Sequence, residues 1–296
     1  MAPHTEVGTV QPPRRGASTM PDGARIGWWS LGQGPGLLVV HGSMQAGLSQ
    51  RDLADLLAPG RTVHLLDRRG RGLSGPYPEA GVDPVVEVQD VIAVARATGS
   101  SDVLGISSGA ILTQRAALAA PDIDRIALFE PPIGVDGSIR PAALDRFDRE
   151  YAAGELADAM VTAMQLAEMG PALLRVAPRW LLRAGTRQML RRDDARTPPD
   201  GLPRLRELAT ALPADLAVVR ENIDRAADFA DVAAGTLLLA GTRTRPYLRA
   251  AVDALGGVVP GARTVLLPGA DHGVTQNRQW RGRPELLVPA LVEFFA

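Results

Sequence analysis

Residues 102–119 read Asp-Val-Leu-Gly-Ile-Ser-Ser-Gly-Ala-Ile-Leu-Thr-Gln-Arg-Ala-Ala-Leu-Ala, and this stretch decides the fold. The apolar run Asp102 to Ile106 is typical of a buried strand, and Ala110 to Ala119 predicts a helix. Between them, Gly105-Ile-Ser-Ser-Gly109 fits the G-x-S-x-G pattern. A sharp strand-to-helix turn there would expose the hydroxyl of Ser107 above the sheet, with small residues where the two backbones crowd. Ser107 is therefore the candidate nucleophile.

Short apolar runs alternate with longer amphipathic segments on both sides of this stretch, which indicates an α/β fold with a mostly parallel central sheet covered by helices. The candidate strands are Arg25 to Leu31, Leu37 to Val40, Thr62 to Leu66, Asp102 to Ile106, Arg125 to Phe129, Thr236 to Ala240 and Thr264 to Leu267. The candidate helices are Gln50 to Leu57, Pro84 to Ala97, Ala110 to Ala119, Pro246 to Leu255 and Pro284 to Phe294.

The alternation stops between residues 136 and 228, where no strand-like run occurs and prolines divide an Ala-, Leu-, Met- and Arg-rich segment into short helices. We interpret 136–228 as a helical insertion into a core made of residues 21–135 and 229–296. Residues 1–20 are rich in proline and polar residues, and we expect a flexible N-terminus there.

Composition excludes several classes of protein. The chain has 296 residues, 46% of them hydrophobic, which favours a single globular unit. Its net charge of −1 argues against nucleic-acid binding as a function class, because such proteins carry an excess of positive charge. No apolar run is long enough for a membrane helix, so we expect no membrane partner and a cytoplasmic location. The sequence contains no Cys and no Lys. These absences exclude thiolate metal sites, cysteine nucleophiles and lysine Schiff bases, and we expect an enzyme without a cofactor.

A serine nucleophile needs a base, and Gly269-Ala-Asp-His-Gly273 places His272 in a loop after the last predicted strand. Its neighbour Asp271 should point elsewhere and serve the turn. His4 lies in the proline-rich start and His64 within a predicted strand, so we set both aside.

The helix after Ser107 directs its unpaired N–H groups towards the serine, so the Ser108 N–H is one candidate oxyanion donor. The second should come from the loop after the strand Leu37 to Val40, which reads His41-Gly-Ser-Met44. We assign Ser43 N–H, with Met44 in reserve, and expect His41 to brace the loop.

The order of four motifs along the chain resembles that of the α/β-hydrolase fold superfamily. The motifs are the strand followed by His41-Gly42, the turn Asp67-Arg-Arg-Gly-Arg-Gly-Leu-Ser74, the G-x-S-x-G pattern and the late Gly-x-Asp-His-Gly. The resemblance covers residues 20–296, least well in the insertion. It implies a triad in the chain order nucleophile, acid, histidine, with Ser107 and His272 in the first and last roles, and an insertion that forms a cap over the site.

The family most often places the acid after the strand that here is Thr236 to Ala240, but Gly241-Thr-Arg-Thr-Arg-Pro246 contains no carboxylate. In some members the acid follows the preceding strand, where this chain has Glu130, and we favour Glu130 because the imidazole must be oriented. Two alternatives stay open. In the first, Glu130 only pairs with an arginine at the strand end. In the second, the site is a Ser–His dyad, or it is no longer used for hydrolysis.

Other patterns carry weaker signals. Gly70 to Gly75 reads G-x-G-x-x-G, but Pro76 and Pro78 follow where a dinucleotide site needs a helix. Arginines recur every fourth residue in the insertion, which is typical of a solvated face. These arginines are Arg175, Arg179, Arg183, Arg187 and Arg191. A more specific hypothesis is that the substrate contacts Met44, Trp180, Arg183 and Arg187.

The sequence thus predicts a serine hydrolase that cleaves an ester, thioester or lactone of a small molecule through an acyl-enzyme on Ser107. An Asp nucleophile, as in dehalogenases and epoxide hydrolases of the same fold, is disfavoured because position 107 is Ser. A second hypothesis is a non-hydrolytic enzyme that cyclises its substrate or transfers an acyl group. A third is a binding protein with an inert serine. The oligomeric state does not follow from the sequence.

Overall fold

A computed structural model describes residues 12–77, 83–170, 177–199 and 201–296, and a twisted sheet of eight strands forms its centre. The strands are β1 (Arg14–Thr19), β2 (Arg25–Leu31), β3 (Gly36–Val40), β4 (Thr62–Leu66), β5 (Asp102–Ile106), β6 (Arg125–Phe129), β7 (Gly235–Gly241) and β8 (Arg263–Leu267). All seven predicted strands are present within a residue or so of their predicted ends.

The strand order is β1-β2-β4-β3-β5-β6-β7-β8. The first two pairings, β1 with β2 and β2 with β4, are antiparallel, and every later pairing is parallel. Because parallel strands end at the same edge, the loops after β3, β5, β6 and β8 meet there. These loops carry Ser43, Ser107, Glu130 and His272.

Helices cover both faces of the sheet. They are α1 (Arg51–Leu57), α2 (Pro84–Thr98), α3 (Ser108–Ala119), α4 (Pro141–Ala152), α5 (Leu156–Leu166), α6 (Arg179–Asp194), α7 (Leu205–Thr210), α8 (Leu212–Arg220), α9 (Pro246–Val258) and α10 (Val288–Phe294). Short 3₁₀ turns occupy Gly47–Gln50, Ala226–Phe229, Arg278–Trp280 and Pro284–Leu286.

Alternate residues of each central strand pack on opposite faces. In β3, Leu38 and Val40 join the cluster formed with α2, α3 and α9, whereas Leu37 and Val39 join the cluster with α1 and α10. Both sets are buried, which explains why these strands read as uninterrupted apolar runs rather than as alternating ones.

Between β6 and β7 the described residues contain helices α4 to α8 and no strand. These helices have a small core of their own, made of Phe147, Ala159, Met160, Leu190, Ala209 and Leu212. The side chain of Met44, from the loop after β3, packs against this core.

Part of the N-terminal segment that was expected to be flexible forms a strand in the structure. Residues 14–19 lay within the segment expected to be flexible, yet they form β1 and pair with β2. The strand is at the sheet edge and mostly exposed, so it needs few apolar residues and gave no hydrophobic signal. Arg15 lies over the ring of Trp29, 4.9 Å from its centroid. None of the described helices is long and apolar enough to cross a membrane.

Candidate active site

Ser107 lies in a strained turn between β5 and α3. Its backbone has φ +53° and ψ −125°, a conformation that non-glycine residues rarely adopt. The flanking glycines are required by space. A Cβ at Gly109 would lie 2.3 Å from the carbonyl oxygen of Val40, and one at Gly105 would lie 2.5 Å from the Cα of Ala110. The turn therefore has the geometry that G-x-S-x-G predicted.

His272 bridges Ser107 and Glu130. The Ser107 hydroxyl donates to His272 Nε2 over 3.2 Å, and His272 Nδ1–H donates to Glu130 Oε2 over 2.7 Å. A carboxylate can only accept, so it fixes the proton of a neutral imidazole on Nδ1 and leaves Nε2 free to accept from serine. His272 is partly exposed, and its ring stacks near Phe129 with centroids 6.2 Å apart.

Glu130 follows β6 directly and is fully buried. Its second oxygen, Oε1, accepts the backbone N–H of Gly241 at 2.8 Å. The two oxygens thus have a histidine and a backbone amide as partners, not the arginine of the alternative interpretation. Like Ser107, Glu130 has a positive φ, +48°. Gly241 stands at the end of β7, the position from which the family usually supplies the acid.

The two residues that carry the candidate oxyanion donors, Ser43 and Ser108, are in contact through their side chains. Ser108 is the first residue of α3, so its N–H has no carbonyl partner within its own helix. The hydroxyls of Ser43 and Ser108 share a hydrogen bond of 3.1 Å. The reserve candidate, the N–H of Met44, already donates to Asp215 Oδ2 at 3.3 Å, and this contact favours Ser43.

His41 is buried and holds the loop that carries Ser43. Its Nδ1–H donates to the carbonyl of Gly42 at 2.8 Å, and its Nε2 accepts the N–H of Arg68 at 3.2 Å. Burial, reinforced by the charges of Arg71 and Arg68, holds the pKa of His41 well below its usual range. His41 is therefore neutral at physiological pH, in keeping with a bracing role. Gly42 approaches Ser107 closely, because a Cβ at Gly42 would lie 2.9 Å from Ser107 Cβ.

A buried ionic cluster that no sequence motif indicated lies beside the site. Arg68 forms a two-pronged pair with Glu87 at 2.7 and 2.9 Å, and its Nη1 also lies 3.0 Å from Asp215 Oδ1. Arg71 donates to the same oxygen of Asp215 at 2.8 Å, and the Tyr77 hydroxyl donates to Glu87 at 3.0 Å. Burial raises the pKa of Glu87, but Arg68, Arg71 and the Tyr77 hydroxyl together lower it by more, and the net shift is downward. Nothing in the sequence linked these arginines to acids in α2 and α8.

The other predicted residues take no part in the hydrogen bonds that join Ser107, His272 and Glu130. Asp271 accepts the N–H of Gly273, as a turn residue does. On α6, the Trp180 side chain is 64% exposed, Arg183 lies 3.7 Å from Asp158, and Arg187 is exposed. Their contact with substrate stays a prediction, and Arg175 falls outside the described residues. Within the described ranges, no cluster of three His, Asp or Glu side chains could hold a metal ion.

Comparison with known proteins agrees with this architecture. A family model described as the alpha/beta hydrolase family matches residues 37–286. The crystal structure of an alpha/beta hydrolase from Sphaerobacter thermophilus is similar, with a TM-score of 0.75 and 32% sequence identity over 95% of this chain and all of that one.

Two curated relatives have named activities. The pimeloyl-(acyl-carrier protein) methyl ester esterase of Xanthomonas campestris is 27% identical over 272 residues, 90% of this chain and 97% of that protein. The N-formylmaleamate deformylase of Pseudomonas putida is 34% identical over 109 residues, 36% of this chain and 41% of that protein. The chain therefore belongs to the alpha/beta hydrolase family, and hydrolysis is the class of activity that the family and these relatives support.

Proposed function

We propose that this protein is a serine hydrolase that needs no cofactor and cleaves a carboxylic ester, thioester or lactone of a small molecule through an acyl-enzyme. The observation that carries the proposal is the continuous hydrogen-bonded chain from Ser107 through His272 to Glu130. Each member comes from a different loop at one sheet edge, and the contacts have the polarity that nucleophilic catalysis needs.

The proposed reaction has two halves. His272 Nε2 takes the hydroxyl proton as Ser107 Oγ attacks the carbonyl carbon, and Glu130 stabilises the imidazolium that forms. The N–H groups of Ser43 and Ser108 stabilise the oxyanion of the tetrahedral intermediate. The imidazolium then gives its proton to the departing alcohol or thiol. In the second half, His272 takes a proton from water as the water attacks the acyl-enzyme, and then returns a proton to Ser107 Oγ as the acid is released.

We further propose that the insertion acts as a cap over this site. Its helix α8 supplies Asp215, which contacts the loop of Ser43, and Met44 packs against the insertion core. Ester-type substrates are favoured over amides because the relative that aligns over nearly its whole length is named as a methyl ester esterase. The deformylase aligns over less than half of its length.

The test is turnover of 4-nitrophenyl acetate and a thioester panel in H₂¹⁸O, comparing the parent with Ser107→Ala. We expect ¹⁸O in the acid product of the parent and loss of at least about 10³-fold in kcat for the variant. Product formed without ¹⁸O would favour acyl transfer or cyclisation instead. Equal turnover by Ser107→Ala would remove the serine mechanism.

A further inference from the structure

The ionic cluster connects the insertion to both candidate oxyanion donors. We propose that Asp215, on helix α8 of the insertion, is a positioning residue that sets the oxyanion hole through two links, one by way of Met44 and one by way of Arg68. The inference rests on the proposed serine hydrolase function, and it makes the docking of the insertion a condition for full catalysis.

The first link reaches Ser43 through its neighbour. Asp215 Oδ2 accepts the N–H of Met44, whose backbone has φ +55°. A non-glycine residue keeps such a conformation only where its surroundings hold it. On the other side of Ser43, the side chain of Gln45 accepts the N–H of Gly42 at 3.0 Å. Ser43 therefore lies between two anchors, and the insertion supplies one of them.

The second link reaches Ser108. Asp215 Oδ1 lies 3.0 Å from Arg68 Nη1, and the same nitrogen donates to the Ser108 hydroxyl at 3.0 Å. That hydroxyl is hydrogen-bonded to the hydroxyl of Ser43. One carboxylate is thus linked to Ser43 through Met44 and to Ser108 through Arg68.

Because the cluster is buried, exchanging one carboxylate oxygen of Asp215 for nitrogen should disturb its hydrogen bonds. Asp215, Arg68 and Arg71 are almost fully buried, so water cannot replace a lost partner. In Asp215→Asn the amide keeps one accepting oxygen and presents an NH₂ group in place of the other. It can serve the guanidinium groups or the N–H of Met44, but not both.

The experiment measures kcat and KM for a 4-nitrophenyl ester with Asp215→Asn and with a matched control, Asp102→Asn. Asp102 is also buried and is paired with two arginines, Arg61 and Arg125, but it lies at the opposite end of β5 from Ser107. The arginines beside Asp102 are partly exposed, with 13% and 33% of their side chains accessible, so Asp102→Asn should lose less stability than Asp215→Asn. Urea unfolding verifies that both variants are folded.

We expect kcat of Asp215→Asn to fall by roughly 10- to 100-fold, less than the cost of deleting an oxyanion donor outright. KM should stay within about threefold, and Asp102→Asn should keep the parental kcat. Thiono esters carry sulfur, a larger and weaker acceptor, at the oxyanion position, so the ratio of oxo- to thiono-ester rates reports on the donors. That ratio should fall in Asp215→Asn alone.

Equal kcat and equal rate ratios for the two Asp→Asn variants would overturn the inference. If Asp215→Asn does not fold, Ser108→Ala removes the hydroxyl of the second link and keeps the backbone N–H, and parental kcat and rate ratio in that variant would also overturn it. Ser107→Ala is run alongside. Its inactivity with a normal Asp215→Asn means that only the positioning role fails, whereas an active Ser107→Ala means that the proposed function itself fails.

Discussion

Replacing Glu130 by Gln is the substitution whose effect the structure predicts in most detail. The parent carboxylate accepts two hydrogen bonds, from His272 Nδ1 at 2.7 Å and from Gly241 N–H at 2.8 Å. The amide of Gln has a single accepting oxygen, and the N–H of Gly241 is a fixed backbone donor. The amide oxygen should therefore turn to Gly241, which aims the NH₂ group at His272.

Such a pairing forces Nδ1 of His272 to accept, so the neutral ring carries its proton on Nε2, facing Ser107. The base is then in the wrong tautomer, and the charge that stabilised the imidazolium is gone. The analogous change in the serine protease triad costs about 10⁴-fold in kcat. We expect a loss of about 10³- to 10⁴-fold here, or about 4 to 5.5 kcal/mol of transition-state stabilisation.

The assay is steady-state hydrolysis of 4-nitrophenyl acetate by the parent, Glu130→Gln and the control Asp90→Asn. Asp90 is also a buried carboxylate, but its partner is Arg69 and it makes no contact with the histidine. Thermal unfolding verifies that each variant is folded. Activity of Glu130→Gln within tenfold of the parent would refute the orienting role of Glu130 and leave the Ser–His dyad as the better description.

Three further predictions concern stability and substrate charge. Burial lowers the pKa of His64 to about 4 and that of His41 well below 6.5. Between pH 6.5 and 4 these histidines are therefore protonated in the unfolded chain but not in the folded protein, so the free energy of unfolding should fall as the pH falls. In His64→Gln, the slope of the unfolding free energy against pH, measured by urea titration, should decrease by up to about 1.4 kcal/mol per pH unit. Burial raises the pKa of Asp67 to about 6, and protonation of its carboxyl group in the folded protein partly offsets this loss of stability below pH 6. An unchanged slope in His64→Gln would contradict the lowered pKa of His64. Gly109→Ala should destabilise by about 2 kcal/mol or more, because its Cβ would lie 2.3 Å from a carbonyl oxygen of β3, and a stability equal to the parent in urea unfolding would contradict the close approach. Arg187→Glu should raise KM roughly three- to tenfold for an anionic ester and leave a neutral ester unaffected, and an unchanged KM for both esters would place Arg187 on a purely solvated face.

Sequence patterns predicted the parts of this molecule that local chemistry determines. The central strands were identified because burial on both faces requires continuous Val, Leu and Ile, and Ser107 because a strand-turn-helix pattern surrounds it. Glu130 followed from its place directly after β6 once Gly241 to Pro246 offered no carboxylate. For the strands and for Ser107 the signal lay within a few residues of the feature, whereas the assignment of Glu130 came from the family resemblance and from the missing carboxylate 111 residues later.

The ionic cluster escaped prediction for the opposite reason. Arg71 and Asp215 are 144 residues apart, and a charged residue in an amphipathic helix normally faces water. Only the docking of α8 brings that carboxylate to the loop of Ser43. Strand β1 was missed because an exposed edge strand has no apolar periodicity.

The central claim is that Ser107 is an activated nucleophile, and intact mass after exposure to a fluorophosphonate tests it most directly. The parent should gain one phosphonyl adduct, Ser107→Ala none, and Glu130→Gln the same adduct at a much lower rate. A folded parent that gains no adduct, or a Ser107→Ala variant that gains one as fast as the parent, would contradict the account.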